Sequence, residues 1–237
     1  MATSRGVKRW RQLTVWLHVI TSVGWMAQAL TICVLLTTSL TTDDRGVAIG
    51  STEAAELLDM RLLAPMANAS AFTGFMLAAA TPWGFFRHWW VLTKFAVTLV
   101  QLYLGIFVLS DALQASTAAA VAGTTGPTLA LAFGSACMAG AIAFQAWLSV
   151  AKPWSTTRLA VGRGRARAPR TAPVWVFVTT VCGGIFDIAV ALLLGHPAPL
   201  LSLSILGTWL VLRRRAERRG HDRDGRRESR SEPALGA

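Results

Sequence analysis

The chain has 237 residues, 53% of them hydrophobic and only 15% charged, and its mean hydropathy is positive. That balance excludes an ordinary soluble globular domain. The formal net charge of +11 would suggest nucleic acid if the basic residues covered one surface; they cluster instead between long apolar runs, which excludes that partner and points to the lipid bilayer.

Residues 1–12 form a basic N-terminal tail carrying Arg5, Lys8, Arg9 and Arg11. The first uncharged apolar run, Leu13–Leu36, exceeds the ~7–15 residues of a secretory signal's apolar region, and no small-x-small cleavage site follows it. It is therefore expected to be a retained helix. Ser51-Thr52-Glu53 suggests an external helix start that continues into the second run, Leu62–Ala80. The third and fourth runs, Trp90–Leu109 and Thr128–Val150, complete a four-helix transmembrane core over residues 13–150. Residues 151–173 read as a flexible basic cytoplasmic loop. Residues 174–212 read as a transmembrane hairpin of Val174–Leu194 and the shorter Leu200–Leu212. Residues 213–237 are low-complexity and charged, as a disordered tail is.

Crossing ~30 Å of hydrocarbon takes about 20 helical residues at ~1.5 Å each, and five runs meet that requirement. Leu200–Leu212 is short for a span. A turn at His196-Pro197-Ala198-Pro199 and snorkelling of Arg213 to Arg215 would let it serve as a sixth; the alternative is a re-entrant or interfacial segment. The expected fold is all-α, a polytopic transmembrane helical bundle of five or six spanning helices. A strand barrel is excluded, because its strands alternate polar and apolar residues over about 10 positions.

Lys and Arg counts in the loops set the orientation. Starting inside and alternating, 20 of the 23 basic residues fall on the cytoplasmic side, two fall outside and Lys94 lies within a span. Both termini are therefore expected in the cytoplasm, with residues 37–61 and 110–127 outside, as in a bacterial inner membrane. Nine of the ten tryptophans fall near expected cytoplasmic helix ends, where an aromatic belt belongs. Only Trp25 lies deep. The basic loop and tail could also bind anionic lipid headgroups, although solvated topology signals are the simpler and favoured account of them.

No CxxC, phosphate loop, nucleotide fingerprint or HExxH motif occurs. Cys33, Cys137 and Cys182 lie within spans at different depths, so free thiols are expected. Asn68-Ala69-Ser70 matches a glycosylation acceptor but falls inside a helix.

Polar residues inside the membrane are the main functional clue. His18, Lys94 and Gln145 share a level roughly 6–8 Å inside the cytoplasmic boundary. Trp25, Asn68, Tyr103 and Asp187 lie 12 or 13 residues from that boundary, near the midplane. His18, Ser22, Trp25 and Ala29 form one stripe on the first helix, and Lys94 and Gln101, seven apart, give the third run a polar side. His18, Lys94 and Gln145 are expected to converge on one pocket for an anionic or carboxylate-bearing ligand. Simpler readings stand beside this one. Lys94 can snorkel, His18 can be a hydrogen-bonded packing residue, and Asp187 can bond Asn68 or Tyr103 while Gly183-Gly184 admits a neighbouring helix.

Leu17-His18-Val19-Ile20 with Gly24-Trp25, Thr81-Pro82-Trp83-Gly84 and His88-Trp89-Trp90-Val91-Leu92-Thr93-Lys94 resemble a family of uncharacterised bacterial integral membrane proteins over roughly residues 10–150. The layout is also similar to the haem-dependent protoporphyrinogen oxidases of the HemJ type and to the CopD copper-resistance proteins. The first resemblance implies haem b as cofactor, with His18 as its iron ligand and Lys94 as the matching lysine of the third helix. The Pro-Arg pair that follows the helix-1 Trp in those oxidases is replaced here by Ala27-Gln28-Ala29-Leu30. Three function classes follow: a b-haem redox protein using His18 with Lys94 or Gln145 nearby, a transporter or accessory protein using Asp187, Asn68 and Tyr103, and a copper-handling protein. A scaffold without chemistry is the fourth, bland reading.

Overall fold

The computed structural model describes residues 5–124, 126–154, 156–157, 171–194, 199–213 and 215. The His196-Pro197-Ala198 turn, most of the 151–173 loop and the tail beyond 215 lie outside the described residues. The fold is all-α. Among the described residues the only extended pairing is a single bridge between His88 and Thr156.

Helix α1 runs Arg5–Thr41 and α2 runs Arg45–Leu58. A π-helical turn, Asp59–Leu63, joins α2 to α3, Ala64–Ala80. Helix α4 spans Trp89–Leu104, and a second π turn, Gly105–Leu109, joins it to α5, Ser110–Ala122. Helices α6, Thr128–Ala151, α7, Val174–Leu194, and α8, Leu200–Arg213, complete the chain. Five continuous helices are long and apolar enough to cross a membrane: α1, α2–α3, α4–α5, α6 and α7.

The expected external start at Ser51 lies earlier. Asp44 caps α2 instead, its Oδ1 accepting the amides of Gly46 at 2.7 Å and Val47 at 3.2 Å, which satisfies first-turn donors. Residues 110–122, expected within a loop, are the helix α5. It pairs with α2 and ends at Gly123, whose φ of 71° suits a residue without Cβ. The two π turns meet where Ser110 Oγ donates to Asp59 Oδ2 at 2.8 Å.

Helix α1 is the hub, packed against α6, α3, α2 and α7, while α4 closes the opposite side against α6 and α3. Small residues let these helices approach closely, as they must where lipid removes the hydrophobic drive. Ser22 Oγ meets Ser70 Oγ at 2.7 Å between α1 and α3. A Cβ on Gly183 would come within 2.6 Å of Ile205 of α8, and one on Gly184 within 3.4 Å of Leu17 of α1. Buried threonines satisfy their hydroxyls on their own helix, as Thr21 does with Leu17 O at 2.9 Å and Thr180 with Val176 O at 2.7 Å.

One end of the bundle gathers the start of α1, the ends of α3, α6 and α8, and the starts of α4 and α7. There Ala172 N donates to Ala80 O at 2.8 Å, Thr157 N to Arg87 O at 2.9 Å and Arg213 Nη1 to Ala79 O. Trp175 and Trp209 stack edge to face at 5.6 Å, and Lys152 lies over the Trp83 ring at 5.1 Å. His88 joins this aromatic cluster at 5.4 Å from Trp83, and burial, then the Arg87 guanidinium, holds its imidazole below the usual range.

The expected sixth span is α8, an apolar helix shorter than the other five, roughly 20 Å long over Leu200–Arg213 at ~1.5 Å per residue. Its N-terminus is fastened to α7 at Asp187, seven residues before α7 ends, so it covers only part of that helix.

Candidate functional site

The site grows from two stripes at helical spacing. On α4, Lys94, Thr98 and Gln101 follow i, i+4, i+7; on α6, Met138, Gln145 and Ser149 follow i, i+7, i+11. Both stripes face each other. Lys94 Nζ donates to Ser149 Oγ at 2.6 Å, and Ser149 Oγ donates to Gln145 O at 3.0 Å. The Gln145 carboxamide accepts from Thr98 Oγ1 at 2.9 Å and donates through Nε2 to Gln101 Oε1. Gln101 Nε2 in turn donates to Met138 O at 3.1 Å. Each carboxamide thus has both its ends engaged, and Gln101 and Gln145 are 4% and 8% exposed.

Lys94 differs from its neighbours. An ammonium carries three donors, and one is spent on Ser149. Among the described residues no carboxylate pairs with it. A charge placed within a spanning helix normally finds a counter-charge or a water-filled route.

His18 reaches the site from α1 by way of α3. Its Nδ1 lies 3.0 Å from Ser70 O and 3.2 Å from Thr73 Oγ1. A carbonyl only accepts, so Nδ1 carries the proton. Thr73 Oγ1 donates its own proton to Ala69 O at 2.7 Å and therefore also accepts here. The Nε2 lone pair has no hydrogen-bond donor among the described residues. Gly74 makes room for the ring: a Cβ there would lie 2.9 Å from His18 Cε1. Among the described residues no hydrogen bond joins Lys94 to the His18 ring.

The expected three-residue pocket is thus assembled in pieces. Lys94 and Gln145 share one network, linked through Ser149 rather than through the Gln145 carboxamide, and His18 of α1 is hydrogen-bonded to α3 instead. The sequence assigns no role in this site to Ser149, Thr98, Ser70, Thr73 or Gly74. The i+4 spacing from Lys94 and from Gln145 signals Thr98 and Ser149; the α3 partners of His18 have no such local signal.

The expected midplane set divides. Trp25 is 4% exposed and packs with Ala29, Ala67, Met138, Ala139 and Ile142, so it is core rather than polar site. Tyr103 is 61% exposed and stacks near Phe107 at 5.4 Å. Two residues carry a helix about 200° round, so once Gln101 faces α6, Tyr103 must face away. Asp187 bonds neither Tyr103 nor Asn68. Its Oδ2 accepts the Ser202 amide in the first turn of α8 at 2.9 Å. A helix N-terminus presents unpaired N–H groups and partial positive charge, which a carboxylate satisfies. Asn68 shares a small cleft with Asp187, lined also by Pro65, Ala191, Pro199 and Ser202.

The three cysteines are free, and among the described residues no three His, Cys, Asp or Glu side chains gather as a metal site. No protein-family model, curated protein or solved structure matches the chain.

Proposed function

We propose that the chain is a multi-pass inner-membrane protein that binds a carboxylate-bearing ligand between α1, α3, α4 and α6, with b-type haem as the ligand class that engages both His18 and Lys94. The observation that carries this reading is the Lys94 ammonium, held by a neutral hydroxyl and without a carboxylate partner among the described residues. A ligand carboxylate would supply the missing charge. His18 suits an iron ligand: its Nδ1–H is fixed by a backbone carbonyl, the arrangement that orients metal-binding histidines, and Nε2 keeps its lone pair. The layout of His18 before Trp25 on the first helix and Trp90-x-x-x-Lys94 opening α4, similar to that of the HemJ type, agrees with this. Bound haem would supply one-electron redox chemistry; the chain supplies His18 to hold it and Lys94 to face a propionate.

Haemin titration of the purified protein, followed by visible absorbance, tests the reading. A Soret band saturating at one haem per chain is expected, abolished in His18→Ala and reduced in occupancy in Lys94→Ala. Equal binding by parent and both variants, or none by the parent, refutes it. A closed Gln101–Gln145 network with every group paired favours a second reading, a scaffold in which these residues only clamp α4 to α6.

In the proposed topology both termini are cytoplasmic. Five helices cross, and α8 returns the chain part-way to the side where Arg213 meets α3. Impermeant thiol labelling in intact cells tests this on a background without the three native cysteines. Thr124→Cys should label from outside and Ser229→Cys should not. Ser116, inside the expected outer loop, is unsuitable because α5 buries it.

A further inference from the structure

On α1 the side chains of Arg9, Gln12, Leu13 and Trp16 border an open surface groove of about 330 Å³. Their spacing of i, i+3, i+4 and i+7 sets them on one face. The opposite face buries Thr14, Leu17 and Thr21 in the bundle. Leu13 and Trp16 are 39% and 58% exposed, and Ile20 and Val23 continue the same outward face deeper into the span. Along the helix that face changes from cation to amide to indole to hydrocarbon.

The polar atoms bordering the groove are mostly donors: the Arg9 guanidinium fork, the Gln12 amide N–H groups and the Trp16 indole N–H. None of the three side chains is hydrogen-bonded to another described residue. No Asp or Glu occurs before Asp43, so α1 offers Arg9 no counter-charge of its own. From Arg9 to Trp16 the helix rises roughly 10 Å. That distance takes the face from the headgroup region to the edge of the hydrocarbon, the depth at which indole rings settle.

We propose that this groove binds one anionic phospholipid. Its phosphate meets the Arg9 guanidinium, a charge-assisted pairing for which Arg is geometrically suited. Its ester carbonyls, which only accept, meet the Gln12 and Trp16 N–H groups, and an acyl chain lies along Leu13, Ile20 and Val23. The sequence of groups on the helix thus matches the sequence of groups along the lipid. A zwitterionic headgroup would bring its own ammonium toward Arg9 and Lys8, whereas an anionic one brings none. The apolar continuation of the face selects a lipid over a soluble phosphate. The inference does not depend on the ligand proposed above, because His18, two residues beyond Trp16, turns to the other side and bonds α3.

Native mass spectrometry of the full chain in mild detergent tests this, with phosphatidylglycerol and phosphatidylcholine of identical acyl chains titrated separately. The first phosphatidylglycerol should bind severalfold more tightly than the first phosphatidylcholine. Arg9→Gln should remove most of that difference. Lys8→Gln deletes the same charge about 100° round the helix and should preserve it. Both side chains are exposed, so neither variant disturbs the core. Equal affinity for the two lipids overturns the proposal, and so do equal losses in the two variants, which is what a diffuse positive field would give. Displacement of the bound lipid by millimolar inorganic phosphate would reassign the groove to soluble anions and overturn it as well.

Discussion

Gly74→Ala sets two physical effects against each other at the point where His18 docks. In the interior of α3, replacing Gly by Ala normally stabilises a helix by about 0.8–1 kcal/mol, since Ala loses less backbone freedom. Here the new methyl would lie 2.9 Å from His18 Cε1, closer than side-chain carbons approach. The ring cannot swing away freely, because Nδ1 is tied to Ser70 O at 3.0 Å and to Thr73 Oγ1 at 3.2 Å. Overpacking costs about 1–3 kcal/mol, and giving up the imidazole hydrogen bond costs roughly 0.5–1.5 kcal/mol more. The clash should win, leaving Gly74→Ala less stable than the parent by about 1–2 kcal/mol. In a His18→Ala background the obstacle is gone, and the same substitution should stabilise by about 1 kcal/mol. The sign reversal is the decisive feature. It is measured as a double-mutant cycle of unfolding in mild detergent, followed by circular dichroism. If Gly74→Ala stabilises the parent and the His18→Ala variant alike, the imidazole does not sit against Gly74 and the docking geometry is wrong.

Three other outcomes follow from the same contacts. Asp187→Asn should keep the cap on Ser202 N–H and melt near the parent, while Asp187→Leu should lose about 1–3 kcal/mol by stranding that amide in an apolar setting; equal melting of the Leu variant and the parent would remove the cap. Gln101→Leu should cost about 1–3 kcal/mol by leaving the Gln145 carboxamide unpaired, whereas adding Gln145→Leu should recover most of the loss; additive losses would mean that the two amides do not bond each other. Lys94→Met in ligand-free protein should raise stability by roughly 1–2 kcal/mol, below the mid-helix insertion cost of about 3 kcal/mol for a lysine; a marked loss in unfolding experiments would mean that the ammonium is already compensated.

The sequence alone determines the helices of this protein. Runs of about 20 apolar residues admit only helix in a bilayer, because each backbone group must be paired within its own segment, and all five such runs are helical here. Periodicity also shows which residues share a face, so that Lys94 and Gln101, seven apart, both turn toward α6. Extension beyond the apolar runs is harder to read: α5 is rich in alanine and serine and forms against α2 through packing that no local pattern reveals. Partners across helices are decided only by the tertiary structure. His18 was legible as a buried imidazole, but its dependence on Ser70, Thr73 and Gly74, more than fifty residues away, comes from the crossing of α1 with α3. Asp187 was legible as a carboxyl that must be paired, and Tyr103 and Asn68 stood at the right depth to pair with it. Depth is a single coordinate, while a hydrogen bond also needs the facing direction. The packing of α8 against α7 brought the Ser202 amide to the carboxylate, while Gln101, facing α6, turned Tyr103 to the outer surface.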